Sequence, residues 1–209
     1  MKHKPLFHHR NCLPIVLLAL ALLMVGCARS VPVIYYQLSA EVAGETVAEA
    51  AAIGGRVIGI GPIRLPERLD RQQIITRMDA NRLHLSDSHR WIEPLAKNIS
   101  QVLRENLSKL LETEQFRHYP WSKTATVDLQ LIVDVVRFEG EGYEVANLET
   151  IWSIQDGAGN TLLPQQRSGY QVKTPTPDHA GLVSALSETL NLFSREIAQE
   201  LVRLAAETS

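Results

Sequence analysis

Cysteine is nearly missing from this chain. Two occur in 209 residues, Cys12 and Cys27, and none follows position 27. Disulfides, thiol catalysis and cysteine-based metal centres are therefore excluded from residues 28–209. A fold built there must hold by packing alone. Histidine is sparse too: beyond Cys27 only His84, His89, His118 and His179 remain. None stands four residues from another, so no helix carries a two-histidine metal face. His84, Asp87 and His89 could meet at a hairpin end, but solvated loop residues are the plainer reading. Excess positive charge is also absent. The formal charge is −2, and becomes −5 without residues 1–26, which carry Lys2, Lys4, Arg10 and no acid. No basic footprint for nucleic acid follows from that balance. Long apolar runs are lacking: the longest, Leu13–Val25, has 13 residues, short of the ~20 that a membrane-spanning helix needs.

Catalytic and cofactor motifs are equally scarce. There is no G-x-S-x-G elbow. Gly59-Ile60-Gly61 opens like a dinucleotide turn, but Arg64 stands where a third glycine belongs, and no helix follows directly. Asp178-His179 has no identifiable nucleophile, and adjacency in sequence is not triad geometry. Glu139 and Glu141 flank Gly140 and read as a solvated turn rather than an acid–base pair. These residues predict no enzyme, no cofactor and no metal.

What is present begins at the front. Residues 1–11 are basic, Leu13–Val25 are apolar, and the run ends at Gly26-Cys27. That is the layout of a secretory leader, with a small residue at the cut. Met24-Val25-Gly26-Cys27 resembles a bacterial lipobox, with Met24 in the position usually held by Leu. The expectation is cleavage between Gly26 and Cys27, lipidation of Cys27, and attachment to a membrane through acyl chains. One chain holds only marginally, at ~0.8 kcal/mol per buried methylene, whereas two or more hold stably. The alternative is an ordinary cleaved leader in which Cys27 is incidental. Ala28 rather than Asp follows Cys27, which by similarity to Gram-negative lipoproteins points to the outer membrane, periplasmic face. The chain then divides into a leader (1–26), a lipidated tether (27–33) and one periplasmic domain (34–209). The tether spans at most ~25 Å when extended.

Within that domain, Ile34–Leu38 reads as a short strand, residues 39–55 as a loop with one helical turn, and Arg56–Leu65 as a strand. Gly59, Gly61 and Pro62 predict an edge, a bulge or close backbone approach in it. Gln73–Arg77 and Asn81–Leu85 form a hairpin. A helix is predicted from His89 to Leu111, capped by Ser86, Asp87 or Ser88, with an apolar stripe Trp91, Leu95, Ile99, Leu103, Leu107, Leu110. Alternation over 127–138 predicts a half-buried antiparallel strand, followed by strands at 144–155 and 161–173 around the turn 156–160. A last helix, 178–206, carries the stripe Leu182, Leu186, Leu190, Phe193, Ile197, Leu201, Leu204, for the sheet or for a coiled-coil partner. The expected class is α+β, a single domain of mostly antiparallel sheet with two main helices layered on it.

Two connectors mix apolar anchors with recognition chemistry. Leu65-Pro66-Glu67-Arg68-Leu69-Asp70-Arg71 sets charges around two leucines that tuck inward or else order a recognition loop. Tyr119-Pro120-Trp121 either anchors a partner or seals the core. The run Gly61-Pro62-Ile63-Arg64-Leu65-Pro66-Glu67-Arg68-Leu69-Asp70-Arg71, then Gln73–Arg77, Asn81-Arg82-Leu83 and Arg90–Leu95, resembles the ABC-type transport auxiliary lipoproteins, the PqiC/YmbA-like family. Val133–Phe138, Trp152 and Ser194–Ala198 agree with it. The resemblance implies an outer-membrane lipoprotein serving an MCE-type intermembrane lipid transport system. It implies docking to a PqiB-like MCE-domain bridging protein, self-association into a ring, and no catalytic residues. Arg64, Arg68, Asp70 and Arg71 are the candidate partner-binding residues; Gly26 and Cys27 are the processing and lipidation positions. A structural scaffold with no part in lipid transport is the alternative, and a periplasmic hydrolase a third.

Overall fold

The computed structural model describes residues 31–41, 47, 50–122 and 124–207. Gly26 and Cys27 lie outside them. The description below concerns the compact unit Val33–Ser209.

Eight strands and two long helices follow in the order β1 (Ile34–Tyr36), a 3-10 turn (Ala50–Ile53), β2 (Ile58–Arg64), β3 (Gln73–Arg77), β4 (Leu83–Trp91), α1 (Leu95–Leu111), β5 (Phe116–His118), β6 (Leu129–Glu141), β7 (Val145–Asp156), β8 (Thr161–Lys173) and α2 (His179–Glu207). β6 is the spine. One side of it pairs antiparallel with β7 along its whole length, and β7 with β8, giving the predicted meander. The other side is shared. β2 runs parallel to its first half, Leu129 to Asp134, and β3 touches only its end, Thr76 and Arg77 against Gly140 and Glu141. β5 lies beyond β2; β4 and then β1 lie beyond β3. The class is α+β as expected. The long ladders are antiparallel, while the short joins β1/β4, β2/β5, β2/β6 and β3/β6 are parallel.

Both helices cover one face of this sheet. The predicted stripes of α1 and α2 are buried throughout. They face Leu129, Leu131, Val133 and Val135 of β6 and Ala146, Leu148, Trp152 and Ile154 of β7. The α2 stripe thus packs on its own sheet and leaves nothing for a coiled-coil partner. Trp152 meets Phe193 edge to face at 5.8 Å, and its indole N–H donates to Ser168 Oγ at 2.9 Å. Between the helices, Asn106 donates to Asn191 at 2.9 Å and to Ser194 at 3.1 Å. Among the described residues no helix is long and apolar enough to cross a membrane.

The helix expected from His89 begins instead at Leu95. Residues 83–91 are extended, with Trp91 N–H bonded to the Gln72 carbonyl at 2.7 Å. Pro94 occupies the cap with φ −52° and ψ 127°. A proline disfavours helix in the residue before it, so the chain cannot coil until Pro94 is passed. Trp91 belongs to the core from a strand, four residues before Leu95, and imitates one more helical turn.

Candidate functional site

The segment 61–72 is shaped by its backbone. Gly61-Pro62 is a cis peptide and the β2/β6 register shifts between Ile60 and Ile63. Gly61 has φ +112°, and a Cβ there would meet Tyr119 at 2.9 Å. The bulge and close approach expected here are both present; β5 covers that side of β2 only from Ile58 to Ile60, so Gly61 and Pro62 lie past its end. Emerging from the bulge, Arg64 pairs with Asp134 at 3.1 Å on the surface. Pro66 then accepts hydrogen bonds from the Leu69 and Asp70 amides, at 2.8 and 3.3 Å. Leu69 is 2% exposed and sits in the core. The Arg68 guanidinium donates to the Val136 carbonyl. Glu67, Arg68, Asp70 and Arg71 remain exposed. Leu69 is therefore a core anchor, as the packing reading had it, while the loop's charges face water.

The structure joins this loop to a charged band on the outer face of the sheet, opposite the helices. Beyond Asp134 and the β6 bulge at Val135–Arg137 comes Glu139. It is not in a solvated turn, as its flanking glycine suggested, but 0% exposed. One carboxylate oxygen accepts from Arg77 Nε at 2.6 Å and from Arg137 Nε at 3.1 Å; the other, Oε2, has no protein partner. Arg137 also approaches Glu141 and Glu149, at 3.7 and 4.0 Å, and Arg167 pairs with Glu149 at 3.1 Å. Gly140 turns inward, against Leu182, because the bulge shifts the alternation by one. No sequence cue announces that shift, and so Glu139 was missed.

The histidines also lie elsewhere than expected. His84 is exposed, whereas His89 stacks on His179 with centroids 3.6 Å apart and planes 3° from parallel. The Tyr36 hydroxyl lies 2.8 Å from His89 Nδ1, and the Tyr143 hydroxyl 3.2 Å from His179 Nε2. Burial first, and then the charges of His89 and His84, push the His179 pKa down to about 4; Asp178 opposes them. The cluster ties β1, β4 and the start of α2 together. Among the described residues no group of three His, Cys, Asp or Glu could hold a metal. Asp178, moreover, caps α2, accepting from the Gly181 amide at 2.7 Å, and that bond holds its carboxyl below the usual range.

Tyr119 and Trp121 divide the two roles proposed for their connector. Trp121 packs over Gly59, where a Cβ would lie 2.6 Å from the indole. Tyr119 is exposed and walls an open, largely apolar groove of about 560 Å³ with Ile60, Pro62, Ile63 and Ala96.

The site thus combines a well-pinned loop with exposed charges, a charged outer sheet face and an opposite face covered by both helices. Residues 36–198 match the model of the ABC-type transport auxiliary lipoprotein component, and the chain belongs to that family. Its members are lipid-anchored auxiliary components of transport systems. A Xanthomonas campestris protein of known crystal structure is similar in fold: TM-score 0.68, 12% identity, with 84% of this chain and 98% of that one covered. A second crystal structure, of an uncharacterized protein, gives TM-score 0.66 and 17% identity over 82% and 99% of the two chains. A dodecameric PelC from Paraburkholderia phytofirmans is more distant, at TM-score 0.38 and 11% identity, with coverage of 79% and 93%. No curated protein matches this chain.

Proposed function

We propose that this chain is a non-enzymatic accessory subunit of an MCE-type intermembrane lipid transport system. It is held at the periplasmic face of the outer membrane by lipids on Cys27, and docks the end of a PqiB-like MCE-domain bridging protein. Membership of the transport auxiliary lipoprotein family supports the accessory role; Gly26-Cys27-Ala28 supports the anchor and its address. The observation that carries the docking surface is the 64–71 loop. Leu69 and the Arg68–Val136 bond fix its shape, yet Asp70 and Arg71 stay in water. A loop ordered at the cost of its conformational entropy, with its charges outward, suits recognition better than packing.

Arg71→Glu tests this most cleanly, since Arg68 also braces β6. An exposed substitution should change stability by no more than ~0.5 kcal/mol. Arginines are over-represented among interface residues whose loss weakens binding most. Pull-down of the MCE-domain protein by folded Arg71→Glu and Arg68→Glu variants should fall sharply. Undiminished capture by both would confine the loop to a structural role.

A further inference from the structure

We propose that the corner formed by β1 and the residue after β4 enters the membrane interface, so that the domain lies against the lipid surface instead of swinging from its tether. This inference rests on the lipid anchor at Cys27 and extends it.

The strand β1 has three residues and is an end strand of the sheet. Its parallel register sets Ile34 beside His89, Tyr35 beside Arg90 and Tyr36 beside Trp91. The Ile92 amide then bonds the Tyr36 carbonyl at 2.9 Å, extending the join by one residue. Side chains alternate along extended backbone. Tyr36 and Trp91 turn inward, leaving Val33, Tyr35 and Ile92 on the opposite face. Tyr35 is 53% exposed, Ile92 54%, Ile34 48% and Val33 37%. Of the large hydrophobic side chains exposed among the described residues from Val33 onward, only Met78 and Tyr119 lie elsewhere. The rest of the molecule buries its apolar groups; this corner shows them on both faces of one edge strand.

Three arguments favour lipid as the occupant. The first is chain length. Val33 stands six residues after Cys27, a reach of ~20 Å even when extended, so acyl chains on Cys27 keep this corner near the bilayer at high effective concentration. The second is composition: aliphatic groups with a tyrosine suit the headgroup boundary, where an amphipathic ring places its hydroxyl in water and its body in the apolar layer. The third is size. A stable interface between two copies takes ~800 Å² per partner, more than four half-exposed side chains offer. Charge adds nothing either way. Charges balance in number here: Asp70 precedes Arg71, and Asp87 stands three residues before Arg90, which donates to the Asp87 carbonyl at 3.3 Å, so docking should not depend on anionic lipid.

The test uses the mature, lipidated protein in vesicles. Without Cys12 and with Cys27 acylated, it has no other thiol, so a single introduced cysteine can carry an environment-sensitive fluorophore. Tyr35→Cys and Ile92→Cys report on the corner; Gln165→Cys, exposed on β8 at the far edge of the sheet, is the control. On phosphatidylcholine vesicles, labels at 35 and 92 should shift to the blue and lose several-fold intensity to shallow spin-labelled lipid. The label at 165 should do neither. Adding phosphatidylglycerol should leave this unchanged. Protein that floats with vesicles while labels at 35 and 92 stay water-exposed overturns the docking and leaves the anchor standing. Protein that fails to float overturns both. A blue shift that grows with protein concentration and resists lipid quenchers makes the corner a contact between copies, and also overturns the proposal.

Discussion

Among the described residues Glu139 is the one charged side chain that is buried. It is fully buried, receives two guanidinium N–H groups on one oxygen, and leaves the other without a protein partner. Removing one member of a buried pair strands its counter-charges and typically costs about 3–5 kcal/mol. Glu139→Ala should therefore lower the unfolding free energy by about that amount, read as a lower urea midpoint, and an unchanged midpoint would mean that Arg77 and Arg137 find water instead. His179 makes a prediction in pH. Its pKa falls from 6.5 to about 4 on folding, chiefly by burial. The unfolded chain then binds more protons between those values, so stability is complete above about 6.5 and declines as pH falls toward about 4. Denaturant midpoints measured across that window should decline for the native chain, and His179→Asn should flatten the decline. An identical slope in both would assign the loss to other groups.

At the scale of elements, regular segments were legible and irregular ones were not. β8, β7 and α2 fall where alternation and helical spacing place them, because each presents an unbroken period to a single core. The β4–α1 boundary was misread because Trp91 sits at a helical interval from Leu95 while belonging to a strand. β5, three residues long, carries no periodic signal. Parallel joins were invisible too: alternation tells which face of a strand is buried, not the direction of its neighbour. In the candidate site, the motif singled out Arg64, Arg68, Asp70 and Arg71, all found at the surface. The outward direction of Asp134 follows from the alternation of β6, whereas Arg137 and Glu139 needed the bulge. Trp91 and Trp152 tie the helices to the sheet, at 3% and 1% exposure. Replacing either with alanine should cost about 3–5 kcal/mol; melting temperatures unchanged in both variants would contradict the layering.

For the whole molecule the predictions concern address. Cys27→Ala should abolish lipidation and release the domain from the membrane fraction, or leave it held by an uncut leader. Normal processing and outer-membrane fractionation of that variant would remove the lipoprotein reading of this cysteine. Ala28→Asp should move the protein to inner-membrane fractions on a sucrose gradient, and an unmoved band would withdraw the sorting argument.

The sharing of β6 between β2 and β3 has a mechanical meaning. Tension on the N-terminus enters at β1 and divides: through the sheet it passes to β4, β3 and the two-residue join of Thr76 and Arg77 with Gly140 and Glu141, and along the chain it meets both helices, where the Leu38 amide bonds Asn98 and the Ser39 amide bonds Ser187. The long antiparallel ladders of β6, β7 and β8 stand behind that join. A pull on the N-terminus would therefore part β1 from β4 first, since three residues join them, and spare the meander.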